Sequence, residues 1–274
     1  MTDLPRITSR ENQKLKHVRR VRDGKERRQL FIEGARLANE AVRSSVDLVE
    51  GFVTESFVSK PCNFELVDEL TRSKVDIYLI ADSIFGSIAD TENAQGIVLL
   101  GERPTDDPNI FDFVGIDRGR QLPLSLFLYQ VNNPSNLGAI MRTAEAAGVS
   151  GISLSNKSAD PFSPKSLRAS MGSAFRMPIA TEISFGDAVM YAKKNGLVTT
   201  AADVEGTICY TDIDWGKPRM LFFGSEAHGL EGGQKDQIEE LITIPMHNGV
   251  ESLNLAVSCG IILFEAGRQY AGRP

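Results

Sequence analysis

Three cysteines, three histidines and a single tryptophan are all that this chain of 274 residues holds of those types. Cys62, Cys209 and Cys259 are odd in number and far apart, so they read as reduced thiols rather than as a disulfide framework or a zinc site, and no metal is expected. Aromatic residues make up only 7% of the chain, and its N-terminal region offers no set of them on which bases could stack. No apolar run approaches the roughly 20 residues of a membrane span. The opening Met-Thr-Asp-Leu-Pro-Arg lacks the apolar core of a signal peptide, so a cytoplasmic protein is expected. No Gly-x-Gly-x-x-Gly follows a strand, and no glycine-rich loop ends in Lys-Ser or Lys-Thr, which leaves dinucleotide and nucleoside triphosphate sites without support.

What is present is the balance of a soluble globular protein, 42% hydrophobic and 24% charged, long enough for two domains. The net charge of −6 is unevenly spread. Met1 to Arg36 holds eleven Lys and Arg against five acids, a charge of +6, so the remainder carries −12. A basic arm on an acidic protein fits RNA or DNA binding, with Arg10, Lys14, Lys16, Arg19 and Arg20 as candidate contacts. A merely solvated helix face is the alternative.

Leu15, Val18 and Val21 have helical spacing within Ser9 to Gln29, with Gly24 as a break, and a second helix is expected from Ala35 to Ser44. Val49 to Val58, Val75 to Ile80 and Ile97 to Leu100 read as strands, Phe64 to Arg72 and Asp82 to Ile88 as short helices. Together they make a small α/β domain over residues 1–103. Residues 104–124, rich in Pro and Asp, read as an interdomain connection. From Ser125 to the C-terminus strands alternate with helices: strands near 125–131, 151–155, 177–181, 197–202, 220–224 and 243–246, helices near 136–148, 165–173, 185–195, 230–241 and 252–270. That is a mainly parallel sheet with helices on both faces, whose ligands belong at the carboxyl ends of the strands.

Three loops there could carry chemistry. Asn136 and Gly138 open a helix that also bears Arg142 among apolar neighbours, a placement that calls for a partner or an anionic ligand. Gly224 permits close backbone approach and Glu226 follows it, while His228 reads as loop structure rather than a base. Ile244-Pro-Met-His-Asn-Gly-Val-Glu-Ser-Leu-Asn254 puts Glu251, Ser252 and Asn254 at the entry of a helix apolar on all sides, as chemistry or as simple caps. Arg168 and Arg176, in a segment of small residues, fit either helix packing or phosphate contact.

In this order Asn136-x-Gly138-x-x-x-Arg142-Thr-Ala, Phe223-Gly-Ser-Glu-Ala-His-Gly-Leu230 and Ile244-Pro-Met…Glu251-Ser-Leu-Asn254 resemble the SpoU/TrmH-like RNA ribose 2′-O-methyltransferases of the SPOUT superfamily. Ile7-Thr-Ser-Arg-Glu-Asn…Leu30-Phe-Ile-Glu-Gly34 is similar to the family's substrate-binding domain, itself like ribosomal protein L30e. The resemblance implies a SPOUT domain over 125–274 with a deep C-terminal trefoil knot, S-adenosylmethionine as cofactor, and homodimers formed through that domain. It implies cofactor contacts at Gly224, Ile244 and Leu253, and catalytic surroundings of Asn136, Arg142, Glu226, Ser252 and Asn254. Its substrate would be structured RNA, ribosomal rather than transfer RNA, with Arg168 among the contacts. The rival readings are a transfer RNA methyltransferase and an RNA-binding protein that keeps the fold without turnover. Asn132-Asn133 stands where the family commonly has an acid, which leaves the target nucleotide open. The family resemblance implies Arg142 as base, but guanidinium groups keep their proton in proteins, so holding phosphate and stabilising a developing alkoxide is the milder alternative, and both readings stand open.

Overall fold

The computed structural model describes residues 4–104 and 122–272, so the expected connection at 104–124 lies almost wholly outside the described residues. They fall into two compact units: one within Met1–Thr105 together with Phe162–Phe175, the other within Asp106–Pro161 and Arg176–Pro274.

In chain order the first unit contains β1 (Arg6–Ile7), α1 (Gln13–Arg22), β2 (Gln29–Glu33), α2 (Ala35–Arg43), β3 (Leu48–Thr54), α3 (Glu55–Val58), α4 (Phe64–Arg72), β4 (Asp76–Ile80), α5 (Asp82–Phe85) and β5 (Ile97–Glu102). Its sheet runs β1-β4-β3-β5-β2, with β5 antiparallel to both neighbours. Asn12 caps α1, its side-chain oxygen accepting from the Lys14 amide at 2.9 Å. The apolar face of α1, Leu15, Val18 and Val21, packs with Phe31, Phe52, Ile80 and Leu100. The helix is amphipathic for that reason, its cations facing outward.

The chain continues through β6 (Leu124–Leu128), α6 (Pro134–Ala147), β7 (Ile152–Ser155), α7 (Pro164–Ser170), α8 (Ser173–Arg176), β8 (Ile179–Ile183), α9 (Phe185–Lys194), β9 (Val198–Ala202), β10 (Ile208–Cys209), β11 (Arg219–Phe223), α10 (Gly232–Lys235), β12 (Glu240–Thr243) and α11 (Leu255–Ala271). Strands β6 to β12 form one sheet in the order β10-β12-β9-β11-β6-β7-β8, and every pairing is parallel. Central strands β6 and β11 are buried on both faces, as a sheet covered by helices on each side demands. Phe127, Phe185, Ala188, Val189 and Phe222 form the core beneath α9. The loop between β7 and β8 sends α7 to the first unit, where it packs on β2.

Several expectations are corrected. The strand expected over 49–58 ends at Thr54, whose hydroxyl accepts from the Phe57 amide at 3.1 Å and starts α3 instead. The helix expected over 230–241 shrinks to Gly232–Lys235, and residues 240–243 pair with β9. Gly232 and Gly233 weaken a helix there, and the open edge of β9 supplies the stronger partner. β1, β2 and β10 are strands the patterning did not mark. Helix α11 is apolar all round in sequence yet not buried all round in this chain: Val257 is 51% and Phe264 58% exposed.

Candidate active site

A cleft of about 660 Å³ lies at the carboxyl ends of β9, β11 and β12, lined by residues 202–205, 223–229, 242–244, 246 and 251–255 among others. Strand ends in a parallel sheet point peptide dipoles and loops to one side, so these loops meet there. The loop after β11 is a tight hairpin: the amides of Ser225 and Gly229 donate to each other's carbonyls at 3.1 and 2.9 Å. It folds back so closely on Gly224 that a Cβ there would strike the Gly229 carbonyl. Glycine at 224 is therefore set by the hairpin's return.

A polar chain links two of these loops through the start of α6. Asn136, at the start of α6, donates through Nδ2 to Glu226 Oε1 at 3.3 Å. Asn254 donates through Nδ2 to Asn136 Oδ1 at 3.1 Å. The other end of the Asn254 amide caps α11, accepting from the Ala256 and Val257 amides at 2.9 and 3.3 Å. Three segments far apart in sequence are thus joined by side chains with fixed donor and acceptor ends. Cap and site residue coincide at Asn254.

The cleft also holds a charged group that sequence reasoning passed over. Lys235 on α10 pairs with Asp203 at 2.9 Å and Glu205 at 2.8 Å. Its hydrogen bonds to Glu205 and then Asp203 hold the ammonium pKa above its ordinary value. Asp203 Oδ1 also accepts from the Glu205 amide at 2.9 Å, fixing the turn after β9. The rule that ligands sit at strand ends could have found this turn, since β9 lies beside β11. His228, read as loop structure, lines the cleft as well.

The structure places the expected residues as follows. Gly224, Ile244 and Leu253 line the cleft, as do Glu226, Ser252 and Asn254, and Asn136 is bonded to two of these. Arg142 differs from expectation: it is exposed, does not line the cleft, and has no hydrogen bond or ion pair among the described residues. Helix α6 turns its Leu137, Ile140, Met141 and Ala144 inward, which leaves position 142 outward. Asn254 meets Asn136. Arg176 is spent on Glu145, with bonds of 2.5 and 3.0 Å. Burial pushes the Cys259 thiol pKa far up, so it is no nucleophile.

Most cations expected to touch RNA are engaged within the first unit. Lys14 pairs with Glu50, a contact that raises the Lys14 pKa, and lies 4.5 Å over the Tyr78 ring. Lys16 pairs with Glu11 at 3.0 Å. Arg10 donates to the Ser83 carbonyl at 2.8 Å and Arg19 to the Arg10 carbonyl at 3.0 Å. Arg168 pairs with Asp90 at 2.7 Å. Arg20 alone of the six is exposed without a side-chain partner among the described residues.

Comparison with known proteins agrees with this geometry. Residues 123–264, which hold all the cleft loops, match the SpoU rRNA Methylase family, and residues 12–99 match the MRM3-like substrate binding domain. The chain is 32% identical to an uncharacterized tRNA/rRNA methyltransferase of Synechocystis, over 98% of this chain and 95% of that protein. It is 25% identical to a 23S rRNA guanosine 2′-O-methyltransferase of Bacillus subtilis, over 95% of this chain and 98% of that protein. The crystal structure of an AdoMet-bound rRNA methyltransferase from Sinorhizobium meliloti superposes with a TM-score of 0.82 at 30% identity, covering 97% of this chain and 98% of that one. With two motif loops lining one cleft, Asn136 of the third bonded to both, and the match extending across all three, the chain belongs to the SpoU rRNA methylase family.

Proposed function

We propose that the protein transfers a methyl group from S-adenosylmethionine to a ribose 2′-hydroxyl of structured RNA, with ribosomal RNA as the target in preference to transfer RNA. The observation that carries this reading is the Glu226–Asn136–Asn254 chain, which ties the start of α6 to the two motif loops that line the cleft. The cleft suits the cofactor in size and chemistry. Its 660 Å³ falls among volumes that bury ligands of this size. Val204, Ile244, Met246 and Leu253 offer apolar surface for an adenine, and Glu226 and Glu251, which have no cationic partner among the described residues, offer carboxylates to a cationic ligand. Gly224, Ile244 and Leu253 would hold it, and when bound it supplies an electrophilic methyl on a sulfonium.

The chain's own residues then position the acceptor. Asn136 and Asn254 fix the Glu226 carboxylate, and Ser252 adds a hydroxyl to the cleft lining. Exposed Arg142, with no internal partner among the described residues, is free to take an RNA phosphate and to stabilise charge developing on the 2′-oxygen. Replacing Arg142 with Ala is expected to lower radiolabelled methyl transfer to RNA by a hundredfold or more, on the order seen when one such donor is removed, while calorimetry shows S-adenosylmethionine binding retained. Full transfer by Arg142→Ala would end the assignment.

The same reading gives residues 1–103 to RNA binding and 125–274 to methyl transfer, with the C-terminal segment knotted as in the SPOUT superfamily. It makes the protein a cytoplasmic homodimer. The dimer is supported by Val250, Val257 and Phe264, large apolar side chains left exposed in the C-terminal segment. No helix among the described residues is long and apolar enough to cross a membrane.

A further inference from the structure

Helix α1 ends in a turn that displays cations without employing them. The Gly24 amide donates to the Val21 carbonyl at 3.0 Å and the Lys25 amide to the Arg20 carbonyl at 2.9 Å, with Gly24 left-handed at φ 69°. That pair of bonds is a Schellman closure, which fixes the chain's path out of the helix. Antiparallel pairing fixes it again from Gln29 onward, where β2 meets β5. Between these anchors stand Lys25, Arg27 and Arg28, one turn beyond Arg20. All four are exposed, and none has a side-chain hydrogen bond or ion pair among the described residues.

The neighbouring cations differ. Arg22 is used on the Ser87 and Ala89 carbonyls at 3.3 and 3.0 Å and on Asp23 at 2.8 Å. Lys14 is neutralised by Glu50. A cation already paired inside the protein releases no counterion from a polyanion unless it first gives up its partner, whereas an unpaired one does so at once. The only acids between Arg20 and Arg28 are Asp23, which Arg22 occupies, and Glu26. Elsewhere the chain carries a strong negative excess, so a polyanion is attracted here and repelled over most of the remaining surface.

We infer that Arg20, Lys25, Arg27 and Arg28, on the rigid turn between α1 and β2, form the RNA-backbone contact of the first unit, in place of the more N-terminal cations of α1. The inference rests on RNA being the substrate. Sequence density pointed to Arg10–Arg20, where basic residues are frequent; the structure moves the contact because four of those five side chains already hold a partner, a carboxylate for Lys14 and Lys16 and a backbone carbonyl for Arg10 and Arg19.

The test is a salt titration of binding to a transcribed 23S ribosomal RNA fragment, followed by fluorescence anisotropy. Each phosphate contact contributes about 0.7–0.9 to the slope of log affinity against log salt, so the variant R20Q/K25Q/R27Q/R28Q is expected to lose roughly 3 units of slope. At 0.15 M salt that corresponds to an affinity loss on the order of a hundredfold or more. The paired deletion K14Q/E50Q is expected to keep the wild-type slope. Single variants R27Q and R28Q should each lose about 0.8 unit, which keeps the test open if the quadruple variant folds poorly. A quadruple variant with the wild-type slope, or a K14Q/E50Q variant with a comparable loss, overturns the inference. Either result obtained while wild-type protein still methylates the RNA leaves the proposed function standing; absence of wild-type methyl transfer would instead remove that function.

Discussion

Asn254 does two jobs with the two ends of one amide, and substitutions can separate them. Its oxygen caps α11 at the Ala256 and Val257 amides, and its nitrogen reaches Asn136, which reaches Glu226. Asn254→Ala removes both ends. Loss of the cap costs about 1 kcal/mol, and loss of the partly exposed bond to Asn136 costs roughly 0.5 kcal/mol more. For a chain of this length the melting temperature should fall by about 3–5 °C. Asn254→Asp keeps an acceptor for both helix amides and places a negative charge at a helix N-terminus, so stability should stay within about 0.5 kcal/mol of wild type.

The aspartate nevertheless breaks the polar chain. Asn136 has one donating and one accepting end. As found, its oxygen would face the new carboxylate; flipped, its oxygen would face Glu226. Either way one carboxylate loses its donor, and the loss of about 1.4 kcal/mol of positioning corresponds to roughly tenfold in methyl transfer. Thermal denaturation and radiolabelled transfer measured on both variants give the two numbers. Wild-type transfer by Asn254→Asp, or equal loss of stability in the two variants, would refute this division of labour.

Other substitutions probe the surrounding frame. Gly224→Ala puts a methyl group into the Gly229 carbonyl, so the hairpin must open; calorimetry should show S-adenosylmethionine affinity falling by at least tenfold. Arg219 is 1% exposed and bonds Thr200, Glu240 and the Asp214 carbonyl; Arg219→Ala should cost about 3 kcal/mol in chemical denaturation, because buried acceptors lose their donor. Arg268 and then Gln269, hydrogen-bonded to Glu265, lower its carboxyl pKa to about 2. A depressed carboxylate stabilises the fold above its unfolded value near 4.3 and loses that contribution as pH falls toward 2. The solvated pair is worth about 0.5 kcal/mol, so Glu265→Gln should flatten the acid limb of a stability profile by that amount and leave the neutral region nearly unchanged.

The parallel sheet was legible because each central strand is a short apolar run followed by a capped helix, a pattern that local spacing records directly. The segment after Leu230 misled because Ile238, Leu241 and Ile242 have helical spacing, while what decides their state is the open edge of β9, far away in sequence. Part of the cleft lining was legible through its motifs, since Gly224, Glu226 and Asn254 each sit where a strand ends or a helix begins. The outward position of Arg142 was not legible, because one cation among alanines does not reveal which side of α6 it occupies. Lys235, Asp203 and Glu205 carry no motif of their own and become a group only when β9 and α10 meet. Ion pairing of the basic arm was also hidden: the partners of Lys14 and Arg168 are 36 and 78 positions away.

The central claim concerns which atom receives the methyl group. Ribosomal RNA incubated with the protein and isotopically labelled S-adenosylmethionine, then digested to nucleosides and analysed by mass spectrometry, reads that atom directly. The label is expected on the ribose of a 2′-O-methylnucleoside. Label on a base, or unlabelled RNA with intact cofactor binding, would contradict the account.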